Sequence, residues 1–149
     1  MKNSSSEIEY TDLTVDHIPR LLEIWKDADL EIKPAGRDHP DALKAEIETF
    51  PHNFIGAFAN GRLIGVANAS WDGRRGWINR VAVLEDFRRQ GLAQRLILHA
   101  EQNLKARGAR VIAVLIEPSN ANSLSLFRKV GYKDSPQALY LSKRDGKDV

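Results

Sequence analysis

The stretch Val81-Ala82-Val83-Leu84-Glu85-Asp86-Phe87-Arg88-Arg89-Gln90-Gly91-Leu92-Ala93 decides how this chain is read. Its first residues end a run, 76–83, that reads as a strand. A charged turn follows over 84–90, and a long helix opens near Gly91. In that helix Leu92, Leu96, Ala100 and Leu104 recur at every fourth residue, a buried stripe, and Gly108 supplies the expected left-handed stop. A helix start leaves backbone N–H groups unpaired at the positive end of the helix dipole, which suits an anion. Gly91 and Ala93 keep side chains away so that a diphosphate could approach the backbone, and Arg88 and Arg89 add positive charge. The letters fit neither the Walker phosphate loop nor the dinucleotide fingerprint. Read alone, an ordinary glycine-containing helix entry explains them equally well.

Residues 53–59, 62–71 and 76–83 read as three strands of a meander. Asn60-Gly61 and Asp72-Gly73 supply the positive φ angles of tight hairpins between them. Upstream, Ile8, Tyr10 and Leu13 predict a first strand. Thr14 then caps a helix that places Ile18, Leu21, Leu22 and Trp25 on one face. Residues 27–38, with Pro34 and Gly36, lack a period and read as a loop. His39-Pro40-Asp41 opens a second short helix ending near Thr49. Downstream, the apolar run 111–117 predicts a strand buried on both faces. A short helix over 120–130 stopped by Gly131 follows, with a last strand near 138–142. The order implies a mixed α/β domain (α+β mixed sheet): a mostly antiparallel twisted sheet of about six to seven strands with helices on both faces. Residues 1–6 read as a flexible N-terminus, 7–143 as the domain and 144–149 as a C-terminal tail.

Composition sets the bounds. A chain of 149 residues is one domain with one sizeable core. A hydrophobic fraction of 42% and a mean hydropathy of -0.40 exclude both a wholly disordered chain and a membrane protein. The longest apolar run, 111–116, falls far short of the roughly 20 residues a spanning helix needs. Residues 1–6 lack the apolar stretch of a secretory signal, so a cytoplasmic location is expected. With no cysteine there is no disulfide, thiolate metal site or cysteine nucleophile. A net charge of +2 gives no argument for nucleic acid.

The segment 81–93 resembles the signature of the GNAT superfamily of acetyl-CoA-dependent N-acetyltransferases. The pattern there, Gln/Arg-x-x-Gly-x-Gly/Ala, is matched by Arg88, Gly91 and Ala93. A second family pattern, Asn-x-x-Ala-x-x-Leu/Phe-Tyr-x-Lys-x-Gly-Phe/Tyr, resembles Asn120, Ser123, Leu126, Phe127, Lys129, Gly131 and Tyr132 at the same spacing. Both motifs stand in the family's order, and the elements match from about residue 7 to 142. The resemblance implies a single GNAT-like domain with acetyl-CoA as cosubstrate and no metal. It implies that Arg88, Arg89, Gln90, Gly91, Leu92, Ala93 and Gln94 hold the CoA pyrophosphate through backbone amides. Val81, Ala82 and Val83 would pair with the pantetheine arm as an added strand, and their amides could polarise the thioester carbonyl. Asn120 would hydrogen-bond the pantetheine between two diverging strands while also serving as a helix N-cap.

Attack on a thioester needs a neutral amine, hence a proton acceptor. Glu117, at the end of the buried strand, is the first candidate base, against its plain reading as a solvated carboxylate. Asp72 is the weaker one, since an Asp before Gly usually serves the turn. His17, His39, His52 and His99 share no spacing with one another or with carboxylates. Phe127 departs from the family's Tyr, whose hydroxyl often protonates the leaving thiolate. Packing, with contact to the pantetheine, is the role left to Phe127, and Ser123, one turn earlier, or solvent would supply the proton.

The acceptor is less legible. Asp27, Asp29, Glu31 and Asp38 could draw in a cationic amine, or simply face solvent. The short connection 133–137 leaves room for a peptide, so the expected partner is a small-molecule or peptide amine. No nucleic acid and no membrane are expected, and a homodimer stays open. Two other readings compete. One is a CoA-binding sensor or interaction module with weak catalysis, which Phe127 favours. The other is nucleic-acid binding through Arg74, Arg75, Arg88, Arg89 and Arg95, which lacks interleaved aromatics. Trp71 and Trp77 flank the Asp72-Gly73 hairpin and read as half-buried sheet residues.

Overall fold

Each Asx-Gly pair closes a hairpin, with Asn60 at φ 51° and Gly61 at φ 80° in the first and Gly73 at φ 92° in the second. In the computed structural model, which describes residues 7–149, these hairpins build β2 (Phe54–Ala59), β3 (Arg62–Trp71) and β4 (Gly76–Val83). β1 (Ile8–Asp12) pairs antiparallel with β2, and β5 (Ile112–Ala113) parallel with β4. The result is one five-stranded sheet in chain order, β1-β2-β3-β4-β5.

The helices form where the sequence gives them a stripe and a cap. A 3-10 turn (Val15–His17) precedes α1 (Ile18–Asp27), which buries Ile18, Leu21, Ile24 and Trp25. α2 (Pro40–Thr49) begins with Pro at its first position, and His39 Nδ1 accepts the Asp41 amide proton at 3.0 Å. α3 (Leu92–Ala106) buries Leu92, Leu96, Ile97, Ala100 and Leu104, and α4 (Ala121–Lys129) buries Phe127.

β2 is buried along its whole length because both sheet faces are covered. Ile55, Ala57 and Ala59 face the core shared with α3 and Phe127, whereas Phe54 and Phe58 face the core shared with α1 and α2. Two irregularities break the simple alternation. β3 has an extra residue where Ala57–Phe58 pairs with Gly65 and Leu63, leaving Ile64 between them. β4 has one between the pairs Val66–Ala82 and Asn68–Asn79, so Arg80 and Val81 stand opposite Ala67 alone. Arg80 takes φ 53° there, the left-handed region that a non-glycine residue rarely adopts.

Three expectations need correction. The sheet has five strands, not six to seven. The run 111–117 joins the ladder only at Ile112–Ala113, and it is not buried on both faces: Val111 is 54% and Leu115 53% exposed. Residues 138–142 form no strand; Leu139 and Leu141 are 83% and 85% exposed. Strand propensity is expressed only against a partner edge. Past Ala113 the chain has left β4, and Ala138 N–H instead closes a turn on the Ser135 carbonyl at 3.0 Å. Residues 144–149 return to the loop between α1 and α2, where Lys33 Nζ donates to the Lys147 carbonyl at 3.4 Å. The expected flexible segment 1–6 lies outside the described residues. Among the described residues no helix is long and apolar enough to cross a membrane.

Candidate active site

The departure of β5 from β4 opens the sheet. Pairing stops after Gly76–Ile112 and Trp77–Ala113, so the edge of β4 from Ile78 to Val83 faces no strand among the described residues. A cavity of about 540 Å³ lies at this opening, and its lining includes Val81, Val114, Ile116, Glu117, Asn120, Ser123 and Phe127 on one side. Trp25, Asp38, Glu46, Asn68 and Arg80 line the other side.

At the end of β4, a 3-10 turn (Glu85–Phe87) leads into the start of α3. Arg89 at φ 64° and Gly91 at φ 79° curl the backbone, and Gly91 caps α3 without any side-chain hydrogen bond. The first intrahelical bond runs from Arg95 N–H to the Gly91 carbonyl at 3.1 Å, which leaves the amides of Leu92, Ala93 and Gln94 for an outside acceptor. A Cβ on Gly91 would meet nothing within 4 Å, so the space over the turn is open. Arg88 sits differently from the expectation that its charge faces this space. Its Nε donates to the Val83 carbonyl at 2.8 Å and its Nη2 to Asp27 Oδ2 at 3.1 Å, tying the turn to the end of α1. The Leu92 side chain is core, 5% exposed, so only its amide is available.

Arg80, turned inward by the bulge, donates to both oxygens of Asp38 at 2.6 and 3.0 Å and lies 4.5 Å over the ring of Trp25. Asp38 is 3% exposed, and its Oδ2 also accepts the Lys33 amide proton at 2.7 Å. A buried carboxylate at this depth requires such pairing. On the same side, Glu46 Oε2 accepts from Asn53 Nδ2 at 3.0 Å and from Asn68 Nδ2 at 3.1 Å. Trp25 Nε1 is buried and without a hydrogen-bond partner among the described residues.

The sequence candidates divide clearly. Val81, Glu117, Asn120, Ser123 and Phe127 come together in the cavity. Glu117 is exposed, at the free end of the run that leaves the sheet. Asn120 Oδ1 accepts the Ser123 amide proton at 3.1 Å, so the N-cap reading holds and its Nδ2 stays available. Phe127 is 4% exposed and meets Tyr132 edge-on at 5.1 Å. Tyr132 in turn donates to Glu101 at 2.7 Å, and burial together with that bond pushes its phenol well above the ordinary range. Asp72 is not in the cavity. It accepts from the Arg75 and Arg74 amides at 2.7 and 2.8 Å and from Trp77 Nε1 at 3.1 Å, which holds its pKa down to about 2. Of the loop carboxylates, Asp27 holds Arg88, Glu31 pairs with Lys33 at 3.0 Å, and Asp38 holds Arg80. None of the four histidines lines the cavity; His52, for one, pairs with Asp12 at 2.7 Å. Among the described residues no group of three or more His, Cys, Asp or Glu could hold a metal.

Sequence reading missed Arg80, Glu46, Asn68 and Tyr140, all of which line the cavity. Only Arg80 left a trace, a charge in the middle of an apolar strand.

The sheet, antiparallel from β1 to β4 and parallel at β5, opens after the pair Trp77–Ala113, and α3 starts on a glycine that makes no side-chain cap. The model of the GNAT acetyltransferase family matches residues 18–132, and the chain belongs to that family. Acetyltransferases of Sodalis glossinidius and Pectobacterium atrosepticum are each 28% identical over 129 residues, covering 87% of this chain and 89% of the relative. The fold is shared with an N-acetyltransferase of Thermoplasma acidophilum solved with CoA, at a TM-score of 0.78, 21% identity, and coverage of 89% of this chain and 93% of that one. It is also shared with an aminoglycoside N-acetyltransferase solved with CoA, at a TM-score of 0.72, 22% identity, and coverage of 93% and 95%.

Proposed function

We propose that this protein moves an acetyl group from acetyl-CoA to a primary amine by direct attack in a ternary complex. The observation that carries this reading is the opening between β4 and β5, with Val81, Glu117 and Asn120 around one cavity, together with the free amides at the start of α3. The turn fits a diphosphate: a left-handed glycine with open space above it, followed by amides without intrahelical partners. The unpaired edge of β4 fits an extended amide-bearing arm, held by strand addition with Asn120 Nδ2 as a further donor. An amide at that edge would meet the thioester oxygen as it gains charge. CoA in the T. acidophilum and aminoglycoside enzymes supports the same cosubstrate here.

Acetyl transfer forms a C–N bond and breaks the C–S bond; the amine must give up a proton and the thiolate receives one. Glu117 is the proposed proton acceptor, direct or through water, because it lines the cavity and is open to solvent that carries the proton away. Phe127 has no proton to give. Ser123 is the proposed donor; solvent serves in its place if the thiolate leaves unaided, as a thiol of pKa about 8.5 allows near neutral pH.

The test is amine-dependent thiol release from acetyl-CoA across a panel of primary amines. Saturable release with the N-acetyl product is expected. CoA binding without release for any amine would overturn acetyl transfer and leave a binding module.

A further inference from the structure

The side of the cavity opposite Glu117 ends in a carboxylate that is held in a fixed direction. Glu46 Oε2 is the acceptor of both Asn53 Nδ2 and Asn68 Nδ2, at 3.0 and 3.1 Å. The amide of Asn53 cannot turn round. Its Oδ1 accepts from Arg107 Nη1 at 3.1 Å, and arginine only donates, so the NH₂ must face Glu46. Arg107 is itself fixed, donating to Asn103 Oδ1 at 2.8 Å and to the carbonyls of Ala69 and His52 at 2.8 and 3.0 Å. With Oε2 saturated, Oε1 accepts no protein hydrogen bond among the described residues, while Glu46 lines the cavity. The Arg80 cation on the same side is already paired with Asp38.

A group suited to Glu46 is a cationic donor, yet the amine that attacks the thioester must be neutral. The two demands fall on different nitrogens. We propose that Glu46 anchors a second, non-reacting ammonium, so that the preferred acceptor is a small aliphatic diamine. This rests on the reading of the cavity as an amine acetylation site. Glu46 is then a specificity residue: it binds one end of the acceptor and leaves the other free to reach the thioester. A purely structural Glu46, fastening α2 to the sheet, would need only an acceptor oxygen, which glutamine also provides.

The experiment compares α,ω-diamines with monoamines of equal chain length, in the wild type and in Glu46→Gln, by steady-state thiol release. In the wild type the best diamine should exceed its matched monoamine at least about tenfold in kcat/KM, the scale of one charge-assisted hydrogen bond. In Glu46→Gln the diamine KM should rise at least about tenfold with kcat changed less than about threefold, the mark of lost ground-state binding. Wild-type preference for monoamines, equal use of both, or turnover of neither class overturns the inference, whether or not the variant folds. A folded Glu46→Gln that keeps the diamine preference also overturns it. Turnover of any other primary amine in those cases leaves the acetyltransferase reading standing; absence of turnover with every amine, despite CoA binding, removes that reading as well.

Discussion

The α3 entry and the side of the cavity that holds Arg80 and Glu46 are built on different physics. The α3 entry uses backbone: two left-handed residues, Arg89 and the capping Gly91, and amides left over by helix geometry. The Arg80 and Glu46 side uses side chains brought from six separate parts of the chain, with Arg80 on Asp38 and Trp25, and Glu46 on Asn53 and Asn68. Backbone devices are local and reappear wherever the same short sequence does. Side-chain networks depend on tertiary placement and change with single residues. One family fold can therefore keep the turn proposed for the cosubstrate while the side proposed for the acceptor varies, as expected when function is carried by sites placed on a common fold.

The contrast breaks down if substitutions on one side disturb both. The largest effect is expected for Arg80→Ala, which strands a carboxylate that is 3% exposed. Removing one member of a buried pair costs about 3–5 kcal/mol, so the urea midpoint should fall steeply. Glu117→Gln should leave CoA affinity unchanged and lower kcat by roughly 10²-fold. A wild-type rate at saturating amine would discard Glu117 as the base. Gly91→Val should do the opposite, weakening CoA at least about tenfold, or about 1.4 kcal/mol, while the acceptor KM holds. Because Gly91 sits at φ 79°, a β-branched residue there also strains the turn, and a modest drop in Tm should accompany the loss. Asp72→Ala should change no catalytic constant. Its carboxyl is depressed to about 2 by the Arg75, Trp77 and Arg74 donors, against about 3.9 in the unfolded chain. It therefore stabilises the fold above about pH 4 and ceases to as pH falls towards 2, and the variant should lose that part of the acid-side slope.

What the sequence disclosed follows the same division. Arg88 to Ala93 could be placed because a strand, a turn and a capless helix are all local signals. The Asx-Gly hairpins and the stripes of α1 and α3 were legible for the same reason. The two sheet irregularities were not, since an extra residue such as Ile64 or Val81 shows only when its partner strand is known. Neither was the turning of the Arg88 guanidinium towards Asp27, sixty-one residues away in sequence. The runs 111–117 and 138–142 misled in the other direction. Their apolar character fits strands, but a strand needs an edge, and among the described residues most of the first and all of the second find none.

Amide chemical shifts on titration with CoA are the decisive measurement, because they report on the backbone groups proposed to hold the cosubstrate. The largest changes should fall on Gln90, Gly91, Leu92 and Ala93 and along Val81–Val83, with Asn120 Nδ2 among the perturbed side-chain amides. The hairpin around Asp72 should stay still. Saturable binding that leaves the Gln90 to Ala93 amides unmoved would contradict the placement of the cosubstrate, and with it the site.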